Sequence, residues 1–472
     1  MERIKNLPAL RIAPNGEHTI NHRAILTLAL PLVLNCTIQA VLNLTDTWFI
    51  GHLSAAATAA LSVITWPAIC FMLLFGGVGL AVQTMASQAF GANHKAKAAH
   101  YACLGILSAA LVAPAFFIVA LFGHALFSPF GLPNDVLLLA VEWWKPRIGA
   151  GSLSVIFGSL TGFFNATNRT KVTFYLTLLL ALVNIPCNYL FLFHYGWGIA
   201  GSAWGTNVAL FLTCLAGLII FLSHDYRHQF KTHRVWKPQL SRLKQLMVTG
   251  AGVGIMVSVD LLGCSLFQLM QAKLGIIEGA ATQIVMSLTS IAYFPTIGMA
   301  LAGTTLVGQS IGAGSPDWAY KLGNMVIRYI LVYMALISAL FIAFSSQLSY
   351  FFTNPHDPYA PSVTALVTKL LWFAATYQIF DGLNLGSSFC LRGSGDVTVP
   401  ARLVTCASLL FFAPLSHTLT FNAQQAWIPG LPQLGWGVTG GWIAISIYVC
   451  LVGTLLFWRW HSRRWQQLIH LF

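Results

Sequence analysis

The feature of this sequence that most constrains its fold is a series of twelve long apolar segments. A transmembrane helix needs about 20 consecutive apolar residues to cross a bilayer core, and each segment is at least that long. The sequence therefore predicts an all-α polytopic membrane protein with twelve transmembrane helices, called spans 1 to 12 here. The segments are 24–50, 59–87, 98–122, 136–164, 172–194, 199–223, 243–271, 281–309, 320–345, 362–390, 398–421 and 438–460.

The composition argues against other classes of protein. Hydrophobic residues make up 57% of the chain and charged residues only 8%, whereas soluble domains carry about 25% charged residues. All nine cysteines lie inside apolar segments and none belongs to a CxxC pair, so we expect small buried hydrophobes rather than redox or zinc sites. The sequence contains no Walker A, GxSxG or HExxH motif, so we expect neither an enzyme nor a cofactor.

The positive charges predict the orientation in the membrane. With a cytoplasmic N-terminus, 21 of the 25 Lys and Arg residues fall on the inner side and four on the outer side: Lys145, Arg147, Lys273 and Lys369. This bias follows the positive-inside rule. We therefore expect a multi-pass protein of the inner (plasma) membrane with both termini in the cytoplasm. Topology then accounts for the net charge of +13, and no nucleic acid partner is expected.

Two short motifs occur twice in the same order, which indicates an internal repeat. Gln88–Ala92 is matched by Gln309–Ala313, and Gly196–Gly201 is matched by Gly435–Gly440. Each half holds six spans, so both halves share one orientation, and the sequence predicts two pseudo-symmetric six-helix bundles. The predicted domains are a cytoplasmic tail at 1–23, an N-lobe at 24–223, a cytoplasmic linker at 224–242, a C-lobe at 243–460 and a cytoplasmic tail at 461–472.

Apart from Glu142, which lies near one end of span 4, three acidic residues lie inside predicted spans. A charge there is costly and usually functional. Each belongs to a row of polar residues whose spacings of three and four keep the row on one helix face. The rows are Asn35, Gln39, Asn43 and Asp46 on span 1, Asp260, Cys264, Gln268 and Gln271 on span 7, and Tyr377, Asp381, Asn384 and Ser388 on span 10; Asn184 and Asn188 form a pair on span 5.

These polar rows have two explanations. Amide and hydroxyl side chains often bond neighbouring membrane helices, and that structural role stays open for the amides. An acid in each of three rows favours a solvated pathway instead. Asp46 lies five residues before Gly51, so it either reaches the outer interface or faces the protein interior. Asp381 lies twelve residues after Lys369, about 18 Å of helix, which predicts a position near the membrane centre.

Several segments resemble the multidrug and toxic compound extrusion (MATE) family, and in particular its bacterial multidrug-exporter branch. The similarity runs through all twelve spans in order, which implies the MATE fold and a transport function. The segments are Asp46–Leu53, Gln88–Ala92, Val183–Tyr189, Leu306–Ala313, Tyr377–Asp381 and Leu391–Asp396.

The resemblance also implies roles for individual residues. It implies an N-lobe cation site at Asp46, Asn184, Asn188 and Thr206, and a bend at Pro31 when the acid is protonated. In the C-lobe it implies an ion site at Asp260, Tyr377 and Asp381, although the span-7 acid is more often glutamate in that branch. The implied coupling ion is H⁺ or Na⁺, with Na⁺ at Asp46 or at the Asp260–Asp381 pair. The residues expected to line the polar cavity are Asn35, Gln39, Asn43, Gln268, Gln271 and Asn384.

The function expected from these features is a secondary antiporter that exports organic, cationic amphipathic compounds in exchange for H⁺ or Na⁺. A buried carboxylate is costly when ionised and unpaired, so it holds a proton, Na⁺ or a cationic substrate in turn. One alternative is a flippase or exporter for lipid-linked or other anionic amphiphiles, with Lys145 and Arg147 as phosphate ligands or simply as interfacial cations. A non-transporting scaffold is disfavoured by the acids. The expected partners are small organic substrates and the bilayer, and the expected state is a monomer.

Overall fold

A computed structural model describes residues 7–12, 17–130, 133–352, 359–424 and 426–471. The described part of the predicted N-terminal tail contains strands β1 (Leu10–Ile12) and β2 (His18–Ile20), which pair antiparallel. Trp318 Nε1 donates to the Pro8 carbonyl at 3.0 Å and ties this hairpin to a later helix. Positions 1–6 and 13–16 of the predicted tail lie outside the described residues.

The first half of the chain forms helices α1 to α9. Asn21 Oδ1 accepts from the Ala24 amide at the start of α1, and Ser54 Oγ accepts from the Ala57 amide at the start of α2. Such caps satisfy amide groups that the first helical turn leaves free. The helices are α1 (His22–Gly51), α2 (Ala55–Gly91), α3 (Lys95–Leu121), α4 (Gly123–Phe127), α5 (Asn134–Gly149), α6 (Ser152–Ala166), α7 (Thr170–Tyr189), α8 (Gly198–Phe221) and α9 (His224–Phe230).

The second half forms helices α10 to α17. Each half also contains one π-helical segment: Leu190–His194 continues α7, and Ala407–Phe412 joins α15 to α16. The helices are α10 (Leu240–Leu274), α11 (Ile276–Gly312), α12 (Pro316–Ala343), α13 (Ser345–Phe352), α14 (Ala360–Ser394), α15 (Thr398–Cys406), α16 (Ala413–Thr420) and α17 (Gly437–His461).

The helices confirm the predicted all-α fold class of twelve spans. Within the described residues, eleven helical segments are long and apolar enough to cross a membrane, and the bent pair α5 and α6 supplies the twelfth. This pair is bent by 46°. The bend follows Pro146 and lies between Gly149 and Gly151, residues that weaken the helical hydrogen-bond ladder. The protein is therefore a multi-pass membrane protein.

The two halves share backbone features at matched positions. Asn93 and Gly314, each just beyond one copy of the Gln-containing motif, have φ values of 62° and 76°. Gly196 and Gly435, which begin the two copies of the other motif, both have a φ of 67°. Positive φ is strained for most residues and favours Gly and Asn. The two halves therefore share positive φ values at corresponding positions, so the repeat is present in the backbone conformation as well as in the sequence.

The chain divides into two compact units. Unit 1 comprises Met1–Ser258, Thr304–Tyr320 and Gly393–Gly395, and unit 2 comprises Val259–Gly303, Lys321–Arg392 and Asp396–Phe472. Asp46 therefore belongs to unit 1, and both Asp260 and Asp381 belong to unit 2. The lobe, linker and tail boundaries drawn from the sequence remain predictions.

Glycine and glutamine residues bring helices of unit 1 together. A Cβ atom on Gly91 would lie 1.9 Å from the Gln309 carbonyl oxygen, so only glycine permits this approach. Gln88 Nε2 donates to the Gly393 carbonyl at 3.0 Å, and Gln309 Nε2 donates to the Ala166 carbonyl at 2.8 Å. Close contact through small residues is typical of membrane helices. The two copies of the motif thus make equivalent interhelical bonds.

The segment predicted as a basic linker contains helix α9 and is partly packed. Tyr226 and Phe230 on α9 are buried. Phe230 and Phe163 have ring centroids 5.3 Å apart in an edge-to-face arrangement, which is a favourable geometry for aromatic pairs. This part of the chain is therefore anchored to α6 rather than fully solvated.

Candidate functional site

Asp46 is part of a hydrogen-bonded polar cluster between α1, α7 and α8 in unit 1. Asn188 Nδ2 donates to Asp46 Oδ1 at 2.6 Å and also to Asn184 Oδ1 at 3.2 Å. Asn184 Nδ2 in turn donates to Thr206 Oγ1 at 3.0 Å. The fold thus brings together all four residues that the sequence grouped as an N-lobe site. Asp46 is half-buried and bonded to this cluster.

A guanidinium group accompanies this cluster. Arg147, in the last turn of α5, lies close enough to Asp46 for the two charges to attract. The Asn207 side chain on α8 donates to the Pro146 carbonyl at 2.7 Å, which fixes this turn of α5 beside the helix that carries Thr206. Lys145 is exposed and Arg147 is half-buried, so the two cations lie in different environments.

The remaining residues of the α1 row have different environments. Asn35 is buried and its Oδ1 has no partner within the described ranges, whereas Gln39 and Asn43 are exposed. Pro31 lies inside α1, which is a single helix from His22 to Gly51. The proposed bend at Pro31 and the cavity-lining roles of the other three residues stay predictions.

The two acids of unit 2 lie close enough to interact electrostatically. Tyr448 Oη on α17 donates to Asp260 Oδ1 at 2.5 Å. Asn384, one turn after Asp381 on α14, donates to the Asp381 carboxyl group. The structure therefore groups the predicted pair and gives each acid its own hydrogen-bond donor.

Sulfur and phenol groups surround this pair. Cys264 and Tyr293 each interact electrostatically with both Asp260 and Asp381. Tyr377 is buried near Asp381, and its hydroxyl is hydrogen-bonded to Thr289. The predicted residue Tyr377 thus belongs to the cluster, but Tyr448 donates to an acid in a way that the sequence did not predict.

The last two residues of the α10 row have different degrees of burial. Gln271 is fully buried, and neither its Nε2 nor its Oε1 has a hydrogen-bond partner in the part of the chain that the structure describes. It packs against Gly441, where a Cβ atom would lie 1.9 Å from Gln271 Nε2. Gln268 is half-buried. Their role in a cavity lining remains a prediction.

A π-helical segment lies beside each acid cluster. In unit 1, Asn188 lies two residues before the segment Leu190–His194. In unit 2, Phe412 at the end of the other segment stacks on the Tyr448 ring, with centroids 4.6 Å apart and an interplanar angle of 18°. π-helical turns are rare and occur often at functional sites.

The hydrogen bond of Tyr448 to an acid was missed from the sequence, and the location of Arg147 was misassigned. Tyr448 lies in an apolar stretch of span 12 with no acid nearby in sequence, so its partner could not be identified. Arg147 was assigned to the outer side of the membrane. Its position inside a predicted span was the signal that was overlooked, because an arginine inside a span usually has a buried partner.

The chemistry available in both clusters is reversible binding of charge. Within the described residues, no group of three or more His, Cys, Asp or Glu side chains is placed to hold a metal ion. Amide and hydroxyl oxygens beside a single carboxylate can still hold a hard cation such as Na⁺ weakly. Both clusters therefore offer carboxyl, amide or hydroxyl oxygens that can accept a positively charged group.

Known proteins share this fold and much of this sequence pattern. The probable multidrug resistance protein NorM of Rhizobium meliloti (strain 1021) is 26% identical over 450 residues, covering 93% of this chain and 92% of the relative. The multidrug resistance protein NorM of Burkholderia vietnamiensis is 26% identical over 449 residues, covering 92% of this chain and 93% of the relative.

Solved structures agree in fold. A MOP superfamily transporter from Pyrococcus furiosus superposes with a TM-score of 0.83 at 18% identity, over 94% of this chain and 96% of the other. A multidrug resistance MATE family transporter in an outward-facing conformation gives a TM-score of 0.82 at 17% identity, over 95% and 96%. A family model described as MatE matches residues 31–190 and 242–418. This protein therefore belongs to the MatE family of transporters.

Proposed function

We propose that this protein is a multidrug exporter of the inner (plasma) membrane that expels organic, cationic amphipathic compounds in exchange for H⁺ or Na⁺. The observation that carries the proposal is the pair Asp260 and Asp381, two carboxyl groups inside spans that interact with each other. The multidrug-resistance names of the NorM relatives support the export of several compounds. We further propose that it acts as a monomer.

The physical basis is competition for one positive charge. Two carboxylates that are close together in a low-dielectric site repel, so the pair is most stable when it holds a cation or a proton. H⁺, Na⁺ and an organic cation then compete for the same two groups. If ion and substrate stabilise opposite-facing states, entry of one is linked to exit of the other.

We propose Asp46, Asn184, Asn188 and Thr206 as a second ion site. Its carboxylate and its amide and hydroxyl oxygens are ligands suited to a hard cation. An ion that binds there must compete with the attraction between Asp46 and Arg147. Ion binding in unit 1 should therefore be weaker than at the Asp260–Asp381 pair.

The proposal can be tested by transport into proteoliposomes. A gradient of H⁺ or of Na⁺ is imposed separately, and accumulation of a fluorescent organic cation is followed. One of the two gradients should drive transport, and Asp381→Asn should abolish it, whereas the control Glu278→Gln should transport normally. Glu278 is an acid in the first turn of α11, outside the polar rows. Transport that ignores both gradients would refute an antiporter.

The proposed orientation needs a separate test. A thiol introduced at His233→Cys should react with an impermeant reagent only from the cytoplasmic side. A thiol at Gln424→Cys, between spans 11 and 12, should react only from outside. The native exposed thiol Cys406 is replaced by alanine in both variants. Labelling of His233→Cys from outside would refute the cytoplasmic termini.

A further inference from the structure

Arg147 and Asp46 form a pair of opposite charges that are held apart. Among the described side chains, no nitrogen of Arg147 lies within 4.0 Å of a carboxyl oxygen of Asp46. Arg459 and Asp396, in contrast, form an ion pair with a nitrogen–oxygen distance of 2.8 Å. Arg147 Nη1 is buried and has no hydrogen-bond partner among the described residues, while Asp46 Oδ1 accepts from Asn188. A buried donor without a partner is costly, so this nitrogen is available to an incoming acceptor.

The position of Arg147 is fixed by its own helix. Trp144, one turn earlier on α5, is fully buried and donates through Nε1 to the Val119 carbonyl at 3.1 Å. Its ring packs edge-to-face on Phe127 with centroids 5.0 Å apart. Asn207 holds the Pro146 carbonyl from the other side. The backbone that carries Arg147 is therefore anchored, so little backbone ordering is needed when a ligand binds.

We propose that Arg147 is a binding site for the acidic group of a substrate, and that the site in unit 1 takes zwitterionic organic compounds. The amine of the compound would face Asp46, and its carboxylate or phosphate would accept hydrogen bonds from the guanidinium. The planar guanidinium group can bind two oxygens of a carboxylate or a phosphate in a bidentate manner. This inference rests on the proposed export function and specifies the substrate class of its second site.

Charge balance favours this class over simple cations. Asp46 and Arg147 together carry no net charge, so a bound monocation would leave one uncompensated positive charge inside the span. A zwitterion adds no net charge and supplies a partner to each side chain. Because uncompensated buried charge is strongly unfavourable, the zwitterion should bind more tightly at this site than the corresponding cation.

Two dyes that differ in one group provide the test: a rhodamine with a free carboxyl group, and the methyl ester of the same rhodamine. Their binding to the full-length protein in lipid nanodiscs is measured by fluorescence polarisation. The wild type should prefer the free acid. In Arg147→Gln the affinity for the free acid should fall by about tenfold or more, and the ester should bind at least as well as before. Arg147→Lys should keep part of the preference.

Lys145→Gln is the matched control, because it removes a positive charge from the same helix at an exposed position. It should leave the preference unchanged. If Arg147→Gln does not fold, Asp46→Asn combined with Arg147→Gln removes both charges and should bind the two dyes equally. A wild type without preference for the free acid, or a preference that survives loss of Arg147, would overturn the inference. Dye binding without gradient-driven transport would instead refute the proposed export function alone.

Discussion

The polar rows of α1 and α10 have the same spacing, and each position of one lies 225 residues from its counterpart in the other. The acid occupies opposite ends of the two rows. In α1 it is the last member, Asp46, whose counterpart in α10 is Gln271. In α10 it is the first member, Asp260, whose counterpart in α1 is Asn35. One repeated framework therefore presents its carboxyl group at two different depths along the helix.

The surroundings of the two acids also differ in charge. Asp46 is accompanied by a guanidinium group, that of Arg147. Asp260 is accompanied by a second acid, Asp381, and by the neutral donor Tyr448. The repeat therefore determines where helices and polar rows lie, while single substitutions determine the net charge around each acid. Under the proposed function, the acid pair of unit 2 requires a cation or a proton, whereas the cluster of unit 1 already has the guanidinium group of Arg147 nearby.

The largest effect is expected from the unit 2 acids. Asp260→Asn and Asp381→Asn should each abolish ion-driven export, because either change removes the repulsion that makes the pair bind one cation or proton. The double variant should be little worse than the worse single variant, since residues that act as a unit are not additive. Transport of an organic cation in proteoliposomes measures all three.

Additive losses in this series would contradict a shared site. They would show instead that one acid couples the ion and the other contacts substrate. Protein levels in the membrane and the elution profile in detergent distinguish loss of transport from loss of folding.

A smaller effect, on stability, separates the two sites. Asp46→Asn leaves Arg147 without its counter-charge and should lower the Tm, whereas adding Arg147→Gln should restore most of it. The coupling energy of this double-mutant cycle should be about 0.5–3 kcal/mol. Asp381→Asn makes the same chemical change in unit 2, but it relieves repulsion there, so its Tm should be unchanged or higher.

Thermal melting in detergent, monitored by tryptophan fluorescence, gives the ranking of these variants. An equal loss of Tm in Asp46→Asn and Asp381→Asn would mean that Arg147 does not balance Asp46. In that case the contrast in charge between the two sites would not hold.

Much of the fold was predictable because apolar length and charge bias are strong signals in membrane proteins. All twelve spans were identified, and the bend between α5 and α6 was not, because Gly149 and Gly151 lie inside an unbroken apolar segment. The three acids were identified because a carboxyl group inside a span is rare. Helix-face spacing placed each acid in a polar row, but it did not predict the burial of the other members: Asn35 is buried, whereas Gln39 and Asn43 are exposed.

Partners from distant helices could not be predicted. Tyr448 reaches Asp260 across 188 positions of sequence, and no spacing rule relates residues on different helices. Arg147 was counted among the outer charges because the positive-inside rule assigns sides by loop and does not consider a cation buried within a span. Tertiary packing decided both contacts.

The smallest expected effect concerns the donor to Asp260. Tyr448→Phe removes the hydroxyl group that donates to Asp260 Oδ1 but keeps the ring that stacks on Phe412. One such hydrogen bond contributes about 0.5–1.5 kcal/mol, so transport should change about two- to tenfold with little change in Tm. Tyr333→Phe, on a half-buried tyrosine of α12, is the control. A donor that only orients Asp260 should leave ion binding possible. A loss of transport in Tyr448→Phe as complete as in Asp260→Asn would therefore make Tyr448 part of the proton path.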